Sequence, residues 1–251
     1  MVDINPAYKF ALIIGVNYKG TPVQMQGCIN DATNIANYLV THRGYLRKNI
    51  TVITDDTAGK PNSSAIRTLI TTLINRAYTN NAKEIWLHYS GHGTYVNDTN
   101  GDEKDGRDEC IVPLDYRTRG FIVDDELNTT VSRLPATCRM IALFDSCFSG
   151  TVLDLKYLVD LNNNNTLENT RRNIAGKIYC ISGCTDTQTS ADAWLGGKWA
   201  GAMTNSFLAC ASPGMSYLDI AKNMRTFLSD QGFTQSPRLS CTATVSASDK
   251  F

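Results

Sequence analysis

The stretch EIWLHYSGHG, residues 84–93, carries an apolar and aromatic run into a turn of small residues around a histidine, His92. The run is too short for a buried helix and is bounded by a turn, so Glu84–Ser90 reads as a strand. A second stretch of this kind, RMIALFDSCFSG at 139–150, ends in a turn bearing Cys147. A thiol needs a proton acceptor to be a nucleophile near neutral pH, and an imidazole is the usual one. Open α/β sheets gather their sites at the carboxyl ends of their strands. The two turns are therefore expected to meet, and the residues read as a cysteine hydrolase. Small residues around Cys147 admit a substrate carbonyl, and the N–H groups of Gly93 and Cys147 can bind a developing oxyanion. Each such donor is worth on the order of 3 kcal/mol.

Working outward, Phe10–Val16 (FALIIGV) is a continuous apolar run without alternation, the pattern of a strand covered on both faces. Cys28–His42 has apolar residues at helical spacing and stops before Gly44. Asn49–Thr54 is a short β-branched strand, and Ser63–Tyr78 is an amphipathic helix expected to start from a serine N-cap. This rhythm implies a mainly parallel sheet with right-handed crossovers. A polar, acidic loop over 94–108, a helix from Asp124 to Leu134 and strand Arg139–Asp145 follow. Next come a linker containing NNNN at 162–165, strand Ile178–Ser182, helices near 202–211 and 217–228, and an extended piece around 238–244.

The 251 residues carry 24 basic and 24 acidic side chains, so the net charge of zero gives no hint of nucleic acid or an anionic membrane. No apolar run approaches the roughly 20 residues that span a bilayer. The N-terminal MVDINPAYKF lacks the basic and apolar regions of a secretory signal. Eight cysteines at irregular spacing without a CxxC pair suggest reduced thiols, and a cytoplasmic location is expected. His42, at a helix end, and His88, inside a strand, are weaker candidates for the base than His92. The turn after the first strand, Gly15-Val16-Asn17-Tyr18, is no phosphate loop. Asp98-x-Asn100-x-Asp102 begins like an EF-hand loop, but Glu103 stands where its glycine belongs, so an EF-hand is rejected.

With FALIIGVNYKG (10–20), GCINDA (27–32), HYSGHG (88–93), DGRDECIVPLDY (105–116), FIVDDEL (121–127), ALFDSCFSGTVLDLKY (142–157) and SGCTDTQTSADAW (182–194) in this order, the chain resembles a metacaspase. The arrangement resembles the compact type I form, and no Pro-rich prodomain is expected. The resemblance implies a caspase-like α/β fold in three layers, with a mainly parallel sheet of about six strands. It implies a single domain over 1–251, with a larger region to about 160, a linker over 161–177 and a smaller region over 178–251. It further implies a monomeric endopeptidase that uses a His92–Cys147 dyad to cut protein or peptide substrates after Arg or Lys.

In the resemblance, Cys28, Asp31, Ser90 and Asp145 fall at positions lining the S1 pocket. Two carboxylates there repel each other, and a bound guanidinium or ammonium relieves that cost. Asp108, Asp124, Asp125 and Asp154 fall at calcium-ligand positions, so Ca²⁺ stimulation is expected, half-maximal anywhere from roughly micromolar to millimolar. Lys156, Arg171, Arg172 and Lys177 are candidate self-cleavage sites in and beside the linker. Asp186, Thr189, Ser190 and Asp192 are expected to border the cleft. Phe148 stands where the family usually has histidine, which puts access and thiol pKa in question rather than the dyad. A catalytically silent caspase-fold module that binds partners is the alternative.

Overall fold

The computed structural model describes residues 4–99, 101, 106–147, 150–164, 166–168, 173–184, 192–195 and 198–251. The chain runs β1 (Lys9–Gly15), α1 (Cys28–Arg43), β2 (Ile50–Thr54), α2 (Ser63–Thr79) and β3 (Glu84–Ser90). It continues through β4 (Gly93–Asn97), β5 (Arg107–Ile111), α3 (Tyr116–Arg119), β6 (Ile122–Val123), α4 (Asp124–Val131) and β7 (Arg139–Asp145). Then come β8 (Tyr157–Val159), β9 (Thr166–Glu168), β10 (Lys177–Cys184), β11 (Asp192–Leu195), β12 (Lys198–Gly201), α5 (Ala202–Cys210), α6 (Tyr217–Asp230) and β13 (Ser236–Cys241).

The central sheet has the order β2-β1-β3-β7-β10-β13-β8-β9. Its first five strands are parallel and the last three antiparallel. The uninterrupted apolar runs resolve by strand periodicity. Phe10, Leu12 and Ile14 enter a core beneath α2 and α4, while Ala11 and Ile13 enter a second core beneath α1, α5 and α6. A sheet covered on both faces opens sites only at its strand ends, and that is where the two turns lie.

Several expectations need correction. The sheet has eight strands rather than about six, because β8 and β9 form a hairpin that continues it beyond β13. β9 and Lys177 lie in the segment expected as linker, so the larger region ends on the far side of the smaller region's last strand. The expected loop over 94–108 is in part the antiparallel pair β4–β5, whose charges mask its pairing in the sequence. α4 ends at Val131 rather than Leu134. At α2 the N-cap is Asn62, and the orphan N–H of Ser63 is met instead by Asp115 Oδ1 at 2.7 Å. Among the described residues no helix is long and apolar enough to cross a membrane.

Candidate active site

Register places the two turns side by side. β3 and β7 pair in parallel with Ser90 opposite Asp145, and the Gly91 N–H continues the ladder to the Asp145 carbonyl at 3.2 Å. His92 and Cys147 therefore leave adjacent strands at the same level. The turns also touch. A Cβ placed on Gly93 would overlap the carbonyl oxygen of Cys147 and lie 3.2 Å from Ser146 Cβ. Only glycine permits that approach. Cys147 itself is buried.

The imidazole of His92 is oriented by the loop after β1, with Nε2 2.7 Å from the Val23 carbonyl. A carbonyl only accepts, so Nε2 carries the proton and Nδ1 is the basic nitrogen. His88 is not a second base. It is wholly buried with Nδ1 3.1 Å from the Leu143 carbonyl, and burial pulls its pKa down to about 3. His42 stacks on Tyr38 in the last turn of α1, away from these turns.

The residues expected to line S1 converge one level below. Asp31 (1 % exposed) and Asp145 (2 % exposed) are both buried. Ser90 Oγ donates to Asp31 Oδ2 at 2.7 Å, and the N–H of Gly201 lies 3.0 Å from both oxygens of Asp31. The N–H of Thr204, in the first turn of α5, donates to Asp145 Oδ2 at 2.7 Å, where the helix dipole favours negative charge. Gly201 sits between the carboxylates: a Cβ on it would overlap Asp145 Oδ2 and lie 2.7 Å from Asp31 Oδ2. Cys28, one helical turn before Asp31, contacts Met25 Sδ through its thiol at 3.7 Å. Val23, Gly201 and Thr204 carried no motif in the sequence. They lie in loops or at element junctions and act through backbone atoms that composition does not reveal.

The residues expected to hold a cation form a buried acidic region beside the β5–β6 pair. Asp108 and Asp154 are buried, Asp124 is wholly buried and Asp125 is half-buried. Asp154 has φ +47°, a left-handed backbone uncommon outside glycine. Asp124 accepts the N–H groups of Glu109 and Asp125, each at 2.8 Å. Burial, then the charges of Asp154 and Glu109, push its carboxyl up to about 10. Glu109 is an addition to the expected set and accepts from Thr151 at 2.6 Å. Among the described residues, no three such side chains are drawn close enough to be a formed metal centre.

Arg171, Arg172, Phe148, Asp186, Thr189 and Ser190 lie outside the described residues, as does the side chain of Asp192. Lys177 opens β10 opposite Arg139, so its following bond lies in the sheet and not in a linker. Lys156 is engaged with Glu168 and Asn173, each at 2.9 Å.

A family model described as the metacaspase, peptidase C14 domain matches residues 9–156, more than half of the chain. The chain belongs to the metacaspase family. Metacaspase-1 of Scheffersomyces stipitis is 36% identical over 93% of this chain and 70% of its own length. Metacaspase-1A of Neurospora crassa is 34% identical over 92% of this chain and 62% of its own length. The chain thus spans roughly two thirds of these curated metacaspases. Among solved structures, a Geobacter sulfurreducens protein superposes with TM-score 0.65 at 25% identity, covering 93% of this chain and 92% of that one. Caspase-1 of Spodoptera frugiperda superposes with TM-score 0.61 at 12% identity over 99% and 90%. That second likeness is one of fold alone, a caspase-like α/β architecture, while the family model and the curated relatives are what place the chain in a cysteine peptidase family.

Proposed function

We propose that this metacaspase is an endopeptidase that cleaves after Arg or Lys through a His92–Cys147 dyad. The observation that carries the reading is the approach of Gly93 to the Cys147 backbone, which brings the two turns into one site. His92 Nδ1 takes the thiol proton, and the Cys147 thiolate attacks the scissile carbonyl carbon. The resulting oxyanion is met by the N–H groups of Gly93 and Cys147. Collapse expels the amine, which takes the proton back from His92, and water then hydrolyses the thioester.

Asp31 and Asp145 supply the negative charge of S1. Their convergence around Gly201, where side-chain volume is excluded, supports a cationic P1 group. Asp108, Asp124, Asp125 and Asp154, with Glu109, would hold Ca²⁺. An all-oxygen donor set, with one carboxyl pushed up first by burial and then by its acidic neighbours, suits a hard divalent cation. When bound, the cation neutralises this region and steadies the segments that carry it. Arg171 and Arg172 are the proposed self-cleavage positions. The coverage of β13 by the β8–β9 hairpin supports a monomer to the extent that β13 itself cannot pair with a second copy.

Peptide amides ending in Arg, Lys or Asp, with and without calcium, on the wild type and Cys147→Ala, test the reading. Turnover of Arg and Lys substrates that rises with calcium and vanishes in Cys147→Ala is expected. Preference for Asp overturns the pocket, and turnover surviving in Cys147→Ala overturns the dyad. An inert wild type instead favours the partner-binding module. For the cation, a calcium-dependent rise in thermal midpoint of the wild type, absent in Asp124→Asn, is the independent measurement.

A further inference from the structure

Tyr18 is the anomaly of the site. It is a bulky residue with φ +51°, in the left-handed region that favours glycine, yet its side chain is wholly buried. The strain is held from both sides. Asp55 accepts the N–H of Asn17 through Oδ1 at 2.7 Å and the N–H of Lys19 through Oδ2 at 2.9 Å. Strain that the surroundings over-determine in this way points toward function.

What the strain achieves is contact with His92. The Tyr18 ring lies beneath the imidazole, centroids 4.7 Å apart and planes tilted by 35°. Its hydroxyl accepts the His92 backbone N–H at 3.0 Å and donates to the Val112 carbonyl at 2.6 Å. Tyr89, wholly buried in β3, holds the other side of the peptide, donating to the His92 carbonyl at 2.7 Å. The two hydroxyls lie 3.1 Å apart, and the Val112 N–H is 3.2 Å from both Tyr89 Oη and the His92 carbonyl. Gly91 makes room for them: a Cβ there would lie 2.6 Å from Tyr89 Oη and 3.1 Å from Tyr18 Oη. The loop that carries Tyr18 also supplies the Val23 carbonyl to Nε2.

We infer that Tyr18 and Tyr89 are a pair of positioning residues that fix His92 for proton exchange with Cys147. Tyr18 supplies the ring bed and the N–H acceptor, and Tyr89 supplies the carbonyl donor. The inference rests on the reading of His92 as the base. A base displaced by about an ångström forfeits roughly a hundredfold in rate, so the pair acts on turnover rather than on substrate affinity.

The experiment compares Tyr18→Phe, Tyr89→Phe and, as reference, His92→Ala. Three readouts are kcat and KM on an Arg peptide amide, the pH profile of Cys147 alkylation by iodoacetamide, and the thermal midpoint. Tyr18→Phe is expected to lower kcat roughly tenfold to a hundredfold with KM little changed, and to shift the alkylation profile toward that of His92→Ala. Tyr89→Phe is expected to do the same to a smaller degree, because the Val112 N–H still holds the His92 carbonyl. Wild-type kcat and alkylation in Tyr18→Phe, while His92→Ala is impaired, overturns the inference. A fall confined to KM, or one that disappears at temperatures where the variant is fully folded, also overturns it. Wild-type alkylation and turnover in His92→Ala instead overturns the reading of the base, a separable outcome.

Discussion

The same two strands, β3 and β7, bury acidic groups at both ends but meet their charge differently. At the amino ends Glu84 stands opposite Arg139 and is wholly buried. It accepts from Arg139 Nε at 2.7 Å and Tyr45 Oη at 2.9 Å, with the Arg43 guanidinium at 3.3 Å. Burial pushes its carboxyl up, but Arg139, Arg43 and Lys9 outweigh that and hold it below the usual carboxylate value. At the carboxyl ends the Ser90 hydroxyl and the Gly201 N–H donate to Asp31, and the Thr204 N–H donates to Asp145. The chain's own cations seal one end into scaffold. At the other end a hydroxyl and two backbone dipoles converge on two buried acids, the end at which the proposed S1 pocket lies.

The comparison can be broken from either end. Asp145→Asn keeps an acceptor for the Thr204 N–H but removes half of the charge in S1. It should cost about a thousandfold in kcat/KM for Arg substrates, as truncating a buried charge partner does, with little change in thermal midpoint. Equal loss on an uncharged P1 substrate would remove the electrostatic assignment. Glu84→Gln should do the reverse. It strands Arg43, whose side chain is buried, and should lower unfolding free energy by about 3 kcal/mol in denaturant titration. Turnover at low temperature should stay at the wild-type level. A lost kcat with an intact fold would show that the two ends are not separate in role.

Gly201→Ala tests the space between the acids. Overpacking by one methyl costs about 2 kcal/mol, so unfolding free energy should fall by about that amount, and kcat/KM for Arg substrates should fall as the carboxylates are pushed apart, with no rescue by calcium. The smallest effect is in pH. Because the folded Glu84 carboxyl titrates below its unfolded value of 4.5, its contribution is full above that value and is lost as pH falls beneath it. Thermal midpoints of the wild type should therefore drop more steeply than those of Glu84→Gln between about pH 5 and 3. Parallel curves would show that the ionised Glu84 adds no stability.

Which parts of this were legible in the sequence follows from where the determining contacts lie. The apolar runs of β1, β3 and β7 are local patterns, and these three strands form within a residue of their expected bounds, while β10 and β13 are displaced by two or three residues at one end or both. The histidine and cysteine turns were legible because a strand followed by small residues is itself a local signal. β4 and β5 are hard to see in the sequence because β4 is short and polar and β5 opens with the charged Arg107, Asp108 and Glu109, and the β8–β9 hairpin is hidden in a segment whose composition resembles a linker. Gly201 was invisible as a site residue. Its role depends on Asp31 and Asp145 reaching it from distant parts of the chain, and its contribution is an N–H and a missing side chain.

The sequence by itself determined the parallel strands β1, β2, β3, β7 and β10, and that a histidine and a cysteine follow two of them in small-residue turns. These follow from side-chain periodicity and residue chemistry, which act over a few neighbours. The tertiary structure alone decided which imidazole nitrogen is basic, why Tyr18 accepts a strained backbone, and how two buried carboxylates share the space around one glycine. Each of those outcomes rests on backbone donors and acceptors brought together across long separations, and a backbone amide or carbonyl looks the same at every residue until the chain has folded.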